Sequence, residues 1–237
     1  MSTPVSGDTI KKFDEELATL RDLVLRMGGL VEEQLRRALD ALARCDVEAS
    51  RAVVRGDREI DRSELQADQE VAQLLARRTP LGIDLRTVLM LSKTVTDLER
   101  IGDESKKVAR TCRKFPSDCA GIPKLPYMDA VAALGEQAAR QLHGALDALA
   151  RLDLERAEAV RAADGALDDA CDALMERITE HMARHGDTIA LAVPVLFATK
   201  ALERVGDHAK NICQYLVYLV EGRDVRHPKA AREQSGR

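Results

Sequence analysis

Seven residues, Ala-Leu-Asp-Ala-Leu-Ala-Arg, occupy positions 38–44 and recur identically at 145–151. An offset of 107 within a chain of 237 residues means that one structural unit is built twice. Around the first copy the apolar residues fall in steps of 3 or 4, the period of one helix face. That stripe runs Phe13, Leu17, Leu20, Val24, Met27, Val31, Leu35, Ala38, Leu42. Breakers divide each half into three such helices. The first follows the cap residues of Ser6-Gly7-Asp8-Thr9, the second starts at Cys45-Asp46 and runs to about Arg78, and the third spans about Asp84 to Lys114. Phe115 to Pro126, with three prolines and a glycine, is a linker. The second set covers about Tyr127 to Leu152, Leu154 to His185 and Thr188 to Glu221, with Pro194 either near the start of the last helix or kinking it. Gly28-Gly29 marks a bend or a close contact in the first helix. The expected fold is all-α: two tandem three-helix bundles over residues 8–118 and 127–224. Helices of about 30 residues make rods of roughly 45 Å at a rise of 1.5 Å per residue.

Composition narrows the function classes. A net charge of -4, with no Lys/Arg block carrying interleaved aromatics, argues against nucleic acid. No apolar run reaches the roughly 18 residues that span a bilayer. The first residues lack the charged-then-apolar order of a signal peptide, so a cytoplasmic protein is expected. Cys45, Cys112, Cys119, Cys171 and Cys213 are scattered, without a Cys-x-x-Cys, and read as reduced packing residues.

The chemistry concentrates in a phrase written twice: Leu98-Glu99-Arg100-Ile101-Gly102-Asp103 and Leu202-Glu203-Arg204-Val205-Gly206-Asp207. Glu and Asp four apart share a helix face, where like charges cost a few tenths of a kcal/mol. The intervening Gly costs about 1 kcal/mol relative to Ala. Each phrase has an acidic pair upstream with the same spacing, Asp57 and Asp61 or Asp164 and Asp168. If each pair lies on a helix antiparallel to the next, facing residues have constant index sums. The pairs 57/103 and 61/99 share one centre, at Pro80, and 164/207 and 168/203 share another, at His185-Gly186. Both centres fall on turn-forming residues. The upstream pairs are offset by 107 and the phrases by 104, a three-residue deletion in the second hairpin.

The apolar stripe of the third helix reads Val88, Leu91, Val95, Leu98, Gly102, Ser105, Val108, Cys112, which leaves Glu99 and Asp103 beside the core rather than in it. Asp57, Asp61, Glu64 and Asp68 form an acidic ridge; their counterparts are Asp164, Asp168, Cys171 and Met175, so the first site is the more acidic. Oxygen-only ligands suit hard cations such as Mg²⁺, Mn²⁺, Ca²⁺ or iron. The alternative is a solvated acidic face neutralised by Lys and Arg from adjacent turns. His181 and His185 lie in a last helical turn, where the dipole favours a cation. His208, beside Asp207, is a possible addition to the second site. Gly102 and Gly206 allow a helix, or a metal with its waters, to come close.

These features together resemble the PhoU family of bacterial phosphate-signalling regulators, from about Phe13 to Arg226. The resemblance includes Met27-Gly28-Gly29, Gly56-Asp57, Asp84-Leu85-Arg86 and the doubled phrase. It implies a cytoplasmic, non-enzymatic protein that silences the phosphate-starvation response. Its implied partners are the ATPase of a phosphate ABC transporter and the sensor histidine kinase of the phosphate regulon, with the membrane reached only through them. It also implies a homodimer and bound metal ions (iron, zinc, manganese or magnesium). Carried over, the ligands are Asp57, Asp61, Glu99 and Asp103 at one site and Asp164, Asp168, Glu203 and Asp207 at the other. A ferritin-like oxidase would need Glu-x-x-His on core-facing helices, which this chain lacks. A helical adaptor with acidic faces and no metal is the remaining alternative.

Overall fold

The computed structural model describes residues 7–115 and 125–226. Among them the secondary structure is helical throughout: α1 Gly7–Arg44, α2 Val47–Arg78, α3 Gly82–Thr111, α4 Met128–Arg151, α5 Leu154–Arg184 and α6 Ile189–Glu221. Short 3-10 turns at Cys112–Lys114 and Gly186–Thr188 close α3 and open α6. The two tandem three-helix bundles are α1–α3 and α4–α6. Ser6 and residues 116–124, which hold the expected first boundary at 118 and most of the linker, lie outside the described residues.

Equivalent residues start and stop the helices of the two halves. Asp46 and Asp153, 107 apart, cap α2 and α5 by accepting from the backbone N–H of Ala49 at 2.8 Å and of Arg156 at 3.0 Å. Both hairpins turn where the breakers stand, between Arg78 and Gly82 and between Arg184 and Ile189. Pro194 lies inside α6, which starts five residues earlier and runs through it.

The bundles pack against each other about a pseudo-two-fold relation. At Gly28 of α1 a Cβ would meet Leu146 of α4 at 2.6 Å, and at Gly135 of α4 it would meet Leu39 of α1. Gly135 is the counterpart of Gly28 and Leu146 that of Leu39, so one close contact is made twice. Gly28 is thus a close contact, and Gly29 has open space.

The most extensive helix pairing is α3 with α6. The expected core stripe of α3 is buried from Val88 to Cys112. A second face is buried too, with Met90, Thr94, Asp97, Ile101 and Glu104. Sequence periodicity assigned these polar residues no role. Here Glu104 takes Lys107 at 2.9 Å and Arg204 of α6 at 3.2 Å. Buried charges need such partners, because desolvation without them is costly. Cys112, Cys171 and Cys213 are free and buried, whereas Cys45, expected to be reduced, is disulfide-bonded. It sits at φ 51 in the turn between α1 and α2, at the edge of the core, and Cys119 lies outside the described residues.

Candidate metal centre

Each acidic site lies where an outer helix crosses the glycine of the doubled phrase. In the first half Asp57 of α2 is 4% exposed and packs against Gly102, where an added Cβ would meet its Oδ1 at 3.5 Å. Gln34 of α1 reaches into the same spot and donates Nε2 to Asp57 Oδ1 at 2.9 Å and to the Gly102 carbonyl at 3.0 Å. Lys106, one turn beyond Asp103, completes the arrangement. Its ammonium bonds Asp57 and lies 2.5 Å from Asp103 Oδ1. Burial opposes its charge, but the hydrogen bonds to Asp103 and Asp57 outweigh that and hold its pKa above the usual lysine value.

The rest of this site is an outward ridge. Asp61 and Asp68 are exposed and Glu64 and Glu99 half-buried. Burial raises the pKa of Glu64, and Asp68, Asp61 and Asp103 raise it further; burial, Asp103 and Glu64 do the same to Glu99. Asp57 and Asp103 share the Lys106 ammonium, which brings together the pair that the index sums match. The acids that raise Glu99 are Asp103 on its own helix and Glu64 on α2.

The second half is tighter. A Cβ on Gly206 would run into Leu167 and come within 2.6 Å of Gln141 Oε1, whereas at Gly102 the nearest atom, on Ile60, is 3.3 Å away. Beside this crowded glycine Asp164, Asp168 and Asp207 offer oxygens all within 4.8 Å of one another, which among the described residues is the one such group of possible ligands. Burial, followed by the neighbouring carboxylates, raises the pKa of Asp168 and Asp207. Lys210, the counterpart of Lys106, bonds Asp164. Asp164 is 3% exposed, and its Oδ1 has no hydrogen-bond partner. Gln141, the counterpart of Gln34, is also buried, and its Oε1 is likewise unpartnered. Both are acceptors without a donor, a state relieved by a cation or, for Gln141, by turning the amide over.

The other residues singled out by the sequence divide. Glu203, mostly buried, pairs with the more exposed Lys200. Cys171 and Met175 pack together, Sγ to Sδ 3.8 Å, and burial pushes the Cys171 thiol up to about 11. His208 does not join the second site; it turns across the seam to Asp97, Nδ1 to Oδ1 2.6 Å, where Asn211 Nδ2 also donates at 3.2 Å. His181 and His185 stack at 4.3 Å between ring centroids. The glutamines are the residues that sequence reasoning missed, and the lysines it foresaw only as unspecified neutralising neighbours. A signal was present, since Gly-Asp-x-x-Lys is written twice, at 102–106 and 206–210.

Comparison with known proteins agrees with this architecture. The family model described as "PhoU domain" matches twice, at residues 24–112 and 131–216. The phosphate-specific transport system accessory protein PhoU of Serratia marcescens is 36% identical over 217 residues, covering 91% of this chain and 87% of that protein. The PhoU homolog of Pseudomonas aeruginosa is 37% identical over 92% of this chain and 88% of its own length. The crystal structure of PhoU from Pseudomonas aeruginosa superimposes with a TM-score of 0.85 at 36% identity, covering 89% of this chain and all (100%) of that one. The phosphate transport system regulatory protein PhoU from Streptococcus pneumoniae gives 0.80 at 29% identity, over 90% and 99%.

Proposed function

The chain belongs to the PhoU family, and from that premise we propose that it is a negative regulator of the phosphate-starvation response. In this reading it works in the cytoplasm, as a homodimer, between the ATPase of a phosphate ABC transporter and the sensor histidine kinase of the phosphate regulon. It contacts the membrane only through them, and no helix of the described residues is long and apolar enough to cross one. It performs no catalytic step. The observation that carries the reading is the doubled family match, which falls on the two bundles and includes both acidic phrases. Deleting the gene should leave phosphate-starvation reporters expressed in phosphate-rich medium. Unchanged repression, with no paralogue present, would sink the regulatory claim. Retention of the transporter ATPase and the kinase on the immobilised chain tests the partners.

Metal binding is part of the same proposal. Asp164, Asp168 and Asp207, together with Glu203, would hold a cation in the second half, and Asp57, Asp61, Glu99 and Asp103 one in the first. The unpartnered Asp164 Oδ1 and Gln141 Oε1 support the fit at the second site. Iron, zinc, manganese or magnesium would supply positive charge that cross-links the outer helix to the central one. Metal analysis of the purified protein, repeated with Asp168→Asn and Asp207→Asn together, should lose metal in the variant. The rival reading, a helical adaptor with acidic faces and no metal, draws support from one observation: Lys106 and Lys210 already neutralise the buried Asp57 and Asp164.

A further inference from the structure

Building on the metal-binding reading, we propose that Lys106 and Lys210 are tethered competitors of the metal, and that their unequal grip sets the order of filling. The second half takes the cation first, while Lys106 keeps the first half closed.

Each lysine stands three residues after the Asp of the doubled phrase, and each ammonium lies on the buried Asp of the outer helix. In the first half both Asp57 oxygens are taken, Oδ1 by Gln34 and Oδ2 by Lys106, so a metal bound there must displace the lysine. In the second half Lys210 holds Asp164 Oδ2 and competes through that bond and its charge, while Oδ1 stays open. The exchange breaks only hydrogen bonds: the lysine leaves with its proton, and the cation takes its place among the carboxylates.

The two exchanges differ in what must be undone. In the first half Lys106 bonds both Asp57 and Asp103, Gln34 supplies a further donor to Asp57, and the lysine side chain is only 15% exposed. A cation would have to break both bonds of a nearly buried ammonium. In the second half Lys210 holds Asp164 alone and is 33% exposed, close to water. Asp168 and Asp207 feel its charge but make no hydrogen bond to it, and Asp164 Oδ1 has no partner. Three carboxylates already within 4.8 Å of one another need little rearrangement to accept a cation.

The test is a calorimetric titration of metal-stripped full-length protein with Mn²⁺, comparing wild type, Lys106→Met, Lys106→Arg and Lys210→Met. Wild type should show one tight equivalent per chain, which disappears in Asp168→Asn with Asp207→Asn. Lys106→Met should add a second equivalent, or tighten the weaker one by at least about tenfold, and Lys106→Arg should behave as wild type. Lys210→Met should tighten the first equivalent by a smaller factor. If Lys106→Met does not fold without metal, Lys106→Gln, which keeps a hydrogen-bond donor, takes its place. Thermal melts with and without Mn²⁺ then read the same order, since a ligand of the native state raises Tm by mass action. Binding that is independent of either lysine, or a first equivalent that survives loss of Asp168 and Asp207, overturns the proposal and leaves the metal reading standing. No Mn²⁺ binding by any of these proteins overturns both.

Discussion

The two acidic sites contrast in a way that charge counting inverts. The first has four carboxylates on its outer helix, Asp57, Asp61, Glu64 and Asp68; the second replaces the last two with Cys171 and Met175. Yet the close cluster is in the second half, at Asp164, Asp168 and Asp207. In the first half Asp61 and Asp68 turn to water, and Asp57 and Asp103 are occupied by Lys106. Readiness for a cation thus follows from how the carboxylates converge and which internal donors are present. A ridge of exposed acids is well solvated and has little need of a metal.

The comparison rests on the halves being equivalent in their framework, and the largest expected effect tests that. Leu98 and Leu202 are the same residue of the doubled phrase, both 0% exposed. Truncating either to Ala should cost about 2–5 kcal/mol by denaturant unfolding, since each leaves a core cavity. The two values should agree within about 1 kcal/mol if both halves unfold as one unit. A loss several-fold larger in one half would break the equivalence.

A smaller effect should separate the halves. Gly102→Ala meets nothing nearer than Ile60 at 3.3 Å, so the helix gains about 1 kcal/mol of propensity against minor crowding. Gly206→Ala has to displace Leu167, which is 1% exposed, and the Gln141 amide. Overpacking of that kind costs about 1–3 kcal/mol. The expected outcome is a near-neutral first variant and a destabilised second one. Equal effects would mean that Gly206 is no more crowded than Gly102.

Much of this was legible in the sequence, because helix periodicity and duplication are local signals. The 38–44 and 145–151 repeat, the breakers at Pro80 and His185-Gly186, and the α3 stripe from Val88 to Cys112 give the bundles. The contacts that define the sites join different periodic segments. Gln34 on α1 reaches Asp57 on α2 and Gly102 on α3 at once, and no spacing within one helix encodes that. The same limit hid the role of His208. Its position beside Asp207 suggested the second site, but the pairing of α3 with α6 brings Asp97 to it instead. A helix buried on two faces looks amphipathic only on the face with the more apolar residues, so Asp97 and Glu104 resembled surface residues.

The smallest effect concerns pH, and it distinguishes the sites by the reach of their repulsion. Glu64 and Glu99 in the first half, and Asp168 and Asp207 in the second, have pKa values raised above the ordinary carboxylate range, in each case by burial first and by neighbouring acids next. A group whose pKa is raised in the folded state holds its proton there more tightly than in the unfolded chain. Its contribution is therefore fully present below the unfolded value, near 4, and is lost as pH rises through the higher folded value. Metal-stripped protein should accordingly become more stable as pH is lowered from 7 towards 5, until paired acids such as Asp224, held down at about 2 by Arg226, begin to lose their bonds near the acid limit. Neutralising one acid removes part of that slope, so Glu99→Gln and Asp168→Asn should each stabilise the metal-stripped protein at pH 7 by a few tenths of a kcal/mol. Salt then tells them apart. The acids that repel Glu99 are Asp103, 44% exposed at its side chain, and Glu64 on the open ridge, so added KCl should erase most of its gain. Asp168 repels two carboxylates inside a 4.8 Å group, well under the Debye length of roughly 8–10 Å, so its gain should persist. Thermal melts at two pH values and two salt concentrations decide it. A gain from Asp168→Asn that salt abolishes as readily as that from Glu99→Gln would place both sites on the same open surface and remove the contrast between them.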